Sequence, residues 1–105
     1  MTVEMFNNVL RNMQEQQKLT LVSKAKEYAS EEDRLHNFKK IADFVGITTA
    51  QVAMVLMLKN LVSLNDAIMM ETPMSQEFLD EKIGDPYNYL VLIRALLEDG
   101  NVSVK

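Results

Sequence analysis

The chain has 105 residues, 48% of them hydrophobic and 25% charged, which suits one domain with a single core and argues against disorder. A net charge of −4 and only 11 scattered Lys and Arg disfavour a phosphate-tracking surface, and with it nucleic-acid binding. With no cysteine and one histidine, the chain can build neither a disulfide framework nor a cysteine or multi-histidine metal site of its own.

The start, Met1-Thr2-Val3-Glu4, lacks the basic and apolar regions of a signal peptide. The longest uninterrupted apolar run, Val52 to Leu58, is too short to span a bilayer. These features predict a cytoplasmic protein with no membrane partner. No repeat or linker divides the chain, so residues 1–105 read as one all-α domain with its core between 3 and 98.

Thr2 is placed to cap a first helix. Val3, Phe6, Leu10 and Met13 form one apolar stripe, Gln14 to Lys18 are polar, and the stripe resumes at Leu21, Val22, Ala25 and Tyr28. The spacing predicts a helix to about Ala29, with an interruption near Leu19-Thr20. Ser30 with Asp33 resembles a second N-cap, which would put Glu31, Glu32 and Asp33 in a first turn that favours negative charge. Leu35, Phe38, Ile41, Ala42 and Val45 give that helix its buried face, and Gly46 stands where a left-handed cap is expected.

Thr48 with Gln51 restarts a helix, apolar on nearly every side, from Ala50 to Met70. A helix of that kind is either central in its own chain or faces a second subunit. Thr72-Pro73 should end it. Ser75 caps a short segment, Gln76 to Ile83. Gly84-Asp85-Pro86 reads as an interruption, with Asp85 as N-cap and Pro86 as the first residue of a last apolar helix, Tyr87 to Leu97. The tail from Gly100 to Lys105 should fray. The expected architecture is a bundle of four to five helices. The eight methionines suit adaptable helix packing.

Two acidic stretches carry the candidate chemistry. Glu27, Glu31, Glu32 and Asp33 form the first, and Glu81 with Asp85, four positions apart, the second. If they converge, their carboxylates could hold a divalent cation, and the cation a phosphate. If they do not, they are acids at ordinary helix ends, each worth a few tenths to about 1 kcal/mol. Asn88 and Asn37 are poor residues for a helix interior and need a polar partner, a ligand or solvent. Lys59 is the lone charge between Gln51 and Asp66, suited to an ion pair or a phosphate, or simply to snorkelling. His36, beside Arg34, reads as a surface residue. No phosphate-binding glycine loop and no nucleophile elbow occurs.

Glu27-Tyr28-Ala29 followed by Glu32-Asp33-Arg34-Leu35-x-Asn37-Phe38 resembles a "DYG … R-x-x-NF" block. Lys59-x-Leu61-Val62 resembles a mid-chain "K-x-L" block, and Glu81-Lys82-Ile83-x-Asp85-x-x-Asn88-Tyr89-Leu90 a terminal "D-x-x-x-D-x-x-NY" block. In this order, across residues 20 to 98, they resemble small phage and prophage proteins related to the MazG-like all-α nucleoside-triphosphate pyrophosphatases and the nucleotide-modification-associated domains. That resemblance implies an oligomeric helical bundle in the cytosol of a bacterial host, binding Mg²⁺ and splitting a nucleotide between its α and β phosphates. Glu27, Glu32, Asp33, Glu81 and Asp85 would then hold the metal, with Glu31, Glu32, Glu81 and Asp85 in the catalytic roles. Lys59, Asn37, Asn88 and Arg34 would contact the nucleotide or support the ligands. The chain departs from the family where the Ser30 cap splits the first acidic set, where the second set is spaced E-x-x-x-D, and at Pro86. Binding without turnover therefore stands as an alternative. The abundant Met, the helix apolar on all sides and the acidic surface suit a non-catalytic phage protein that binds and inhibits a host protein, and a purely structural oligomer is the third reading.

Overall fold

The computed structural model describes residues 1–23 and 35–100, and among them the chain is all-α. Five helices follow in order: α1 (Val3–Ser23), α2 (His36–Val45), α3 (Thr49–Met69), α4 (Gln76–Lys82) and α5 (Gly84–Asp99). The expected caps at Ser30 and the fraying after Gly100 fall on residues outside those described.

Local chemistry sets most boundaries. The Thr2 hydroxyl accepts from the Met5 amide at 3.1 Å and opens α1. The expected interruption at Leu19-Thr20 does not occur: α1 runs through it, with the Thr20 hydroxyl donating to the Gln16 carbonyl at 3.0 Å. α2 begins at His36 without a side-chain cap and closes on Gly46, whose φ of 81° is the left-handed conformation a glycine adopts without strain.

α3 opens with a full capping box between Thr48 and Gln51. It stops before Pro73. Glu71 takes a left-handed φ of 53°, and the Thr72 amide reaches back to the Ala67 carbonyl at 3.0 Å. Ser75 caps α4 through the Phe78 amide at 3.0 Å.

The break before the last helix is at Ile83, one residue earlier than expected. Ile83 stays in the right-handed region (φ −104°, ψ −42°), and Gly84 is already helical. Asp85 is thus no N-cap; it lies within the first turn, where its charge still favours the helix dipole. Pro86 is tolerated because its missing N–H is one of the first-turn donors that have no intrahelical partner.

α5 is the hub, packed against α3 most extensively and also against α4 and α1, while α2 packs on α3. The core joins Leu35, Phe38 and Ala42 to Val52, Ala53, Leu92 and Leu96. Two expected core positions of α2, Ile41 and Val45, are exposed. So is the first half of α1: Val3, Phe6 and Leu10 are uncovered, although they continue the face that packs at Met13, Gln17 and Leu21. α1 overhangs its partner helix.

α3 is not contacted all round. Val52, Ala53, Met57 and Ala67 are buried, while the opposite face, from Met54 to Met69, is open. By length and composition this 21-residue helix could cross a membrane. Lys59, Asn60, Asn65 and Asp66 would be costly in hydrocarbon, and one face is already committed to the core.

Candidate functional site

The site begins with a polar residue on an apolar stripe. Gln17 lies four positions after Met13 and four before Leu21, so α1 carries it into the interior against α5. It is 4% exposed. A buried carboxamide must find partners, and it finds Asn88, whose Nδ2 donates to the Gln17 Oε1 at 3.0 Å. Asn88 is itself 7% exposed, and its Oδ1 has no partner. Turning both amides over would keep the bond and move the deficit to the Asn88 nitrogen. One valence of Asn88 is unmet either way.

Gly84 makes room for this pair. A Cβ there would come within 2.6 Å of the Gln17 Nε2 and 2.9 Å of its Oε1. The glycine that opens α5 is therefore needed for close approach rather than for its backbone freedom.

Beside Gln17 is a cavity of about 290 Å³ between α1 and the α4–α5 junction. Val9, Met13, Leu79 and Ile83 give it apolar walls, and Asn12, Gln16, Gln17, Gln76 and Asp80 supply polar groups. Gln76 Nε2 donates to Asp80 Oδ1 at 2.9 Å and holds that carboxylate in place. The arrangement offers amide donors and acceptors and one carboxylate, suited to an uncharged polar ligand face or, through Asp80, to a cation.

The predicted site residues distribute unevenly. Glu27, Glu31, Glu32, Asp33 and Arg34 lie outside the described residues. Glu81, near the end of α4, is exposed and meets Lys82 at 3.3 Å. Asp85, half-buried on the first turn of α5, follows it four positions later, across the break at Ile83. Asn88 stands one turn further, inside. The terminal block thus runs across the α4–α5 junction, from an exposed carboxylate through a half-buried one to a buried amide. Asn37 and Lys59 are on the surfaces of α2 and α3, and Lys59 makes no ion pair with a described residue. Among the described residues no three His, Asp or Glu side chains gather as a cation site.

Gln17 is the functional candidate that motif reading missed. Its signal was present: a carboxamide at the i+4 position between two stripe residues, where the pattern called for an apolar side chain.

Comparison with protein-family profiles, curated proteins and solved structures finds no match to this chain.

Proposed function

We propose that this chain is a MazG-like subunit that binds a nucleotide with Mg²⁺ at the α4–α5 junction and works as an oligomer. The observation that carries this reading is Asn88. It belongs to the terminal motif block, it is buried where an unmet polar valence is expensive, it follows Asp85 by one turn of α5, and it bonds Gln17, which lines the cavity. A buried polar atom without a partner calls for one, and a ligand group is the partner this reading assigns to Asn88. Glu81 and Asp85 would supply the carboxylates that magnesium accepts, along with water and substrate phosphates. In the active form the metal would neutralise phosphate charge and a carboxylate would orient or deprotonate the attacking water. The overhanging stripe of α1 and the open face of α3 support the oligomer.

The test is a thermal-shift panel of nucleoside triphosphates with and without Mg²⁺, followed by product analysis of any hit. The expected result is a rise in Tm that needs both Mg²⁺ and nucleotide and that disappears in Glu81→Gln/Asp85→Asn. No shift with any nucleotide would remove the reading.

A second reading rests on the same open helical faces: a non-catalytic phage protein that occupies a host protein. Capture of a specific host protein, unaffected by the two acidic substitutions, would favour it.

A further inference from the structure

The open face of α3 is regular. Met54, Leu58, Leu61, Asn65 and Ile68 recur at alternating steps of four and three, all on the side turned away from the core and all exposed. That is the heptad spacing of a seam between two helices, with Leu58 and Asn65 at one repeat position and Met54, Leu61 and Ile68 at the other. Val55 and Val62, exposed beside it, widen the stripe to the breadth found in helical bundles.

We propose that this seam is a two-fold interface at which α3 lies alongside α3 of a second copy of the chain, in parallel, with Asn65 meeting its own counterpart. Three observations select a second copy. The seam carries no charge, although the chain carries −4, so it is a surface on which copies meet without repulsion. Its one polar group is a carboxamide, which both donates and accepts and is thus its own complement across a two-fold axis. A lone Asn at this repeat position in an otherwise apolar seam is the device by which paired helices fix register and partner number, whereas a lipid-facing helix would leave it unpaired. The opposite face of α3 holds the core, and the seam residues themselves are exposed. The proposal develops the oligomer part of the reading above and does not depend on nucleotide binding.

The experiment is analytical ultracentrifugation of the full chain, with disulfide trapping made simple by the absence of native cysteine. The wild type should sediment as a dimer or a multiple of one. Leu61→Glu, which places a carboxylate in the seam, should weaken association by roughly 100-fold or more while leaving helix content unchanged. Asn65→Cys should oxidise to a covalent dimer, and Glu77→Cys on α4 should not. A monomer at high concentration overturns the proposal. So does a dimer indifferent to Leu61→Glu, or one that Asn65→Cys fails to trap. Binding to phosphatidylcholine vesicles by a monomer, lost in Leu61→Glu, overturns it in favour of a bilayer. A dimer that passes these tests yet shows no Tm response to any nucleotide leaves the seam standing and removes the nucleotide reading alone.

Discussion

Asn88 on α5 and Gln17 on α1 share a buried hydrogen bond of 3.0 Å across 71 positions of sequence. It is a buried polar link between the hub helix and the overhanging one. A double-mutant cycle with Gln17→Ala and Asn88→Ala should show a coupling of about 0.5–3 kcal/mol in urea unfolding, because each single change leaves the other amide buried without its partner. Strict additivity would mean that the pair is not formed in solution.

Gly84→Ala should destabilise the fold by about 1–3 kcal/mol, since the new methyl displaces the Gln17 amide from Asn88. The same substitution in a Gln17→Ala background should cost much less, because the obstructing amide is gone. Equal costs in both backgrounds would show that the crowding lies elsewhere.

Two left-handed residues should respond in opposite directions. Gly46, at φ 81°, caps α2, and Gly46→Ala should lower stability by about 1 kcal/mol. Glu71, at φ 53°, closes α3 with a side chain that disfavours this conformation, so Glu71→Gly should raise stability by about 0.5 kcal/mol. Thermal denaturation of the two variants gives both signs directly.

Thr48→Ala removes half of the α3 capping box and should cost about 0.5–2 kcal/mol. The loss should appear as faster amide exchange over the first turn of α3, with the α5 core unaffected. Uniform loss of protection would mean that the cap acts through the whole fold.

The Lys39–Asp99 bridge, 2.9 Å long between α2 and the end of α5, should contribute little. Both side chains are about half exposed (42% and 50%), so water and salt screen the attraction. Asp99→Asn should change the unfolding free energy by less than about 1 kcal/mol, and a larger loss would point to a less solvated pair than the geometry describes.

Helix type and most helix ends were legible in the chain because their causes are local. Thr2, Thr48 with Gln51, Ser75 and Gly46 each act on backbone groups within a few residues, and each does what its sequence position predicts. α3 ended at Met69, one residue from the expected Met70, while the break before α5 came at Ile83, ahead of the Gly84-Asp85-Pro86 interruption that the sequence suggests. Backbone conformation at neighbouring residues had already satisfied the free carbonyls, and proline at a first turn costs no hydrogen bond. Which apolar stripe is covered was not legible. Periodicity tells a helix which of its sides is apolar, yet Val3, Phe6 and Leu10 share a side with Met13 and differ from it in being exposed. The Gln17–Asn88 pair belongs to the same class of fact. An asparagine in an apolar helix posed a question about partners, whereas Gln17 reads in the sequence as part of the polar stretch Gln14 to Lys18; long-range packing of α1 on α5 brought the two amides within hydrogen-bonding distance.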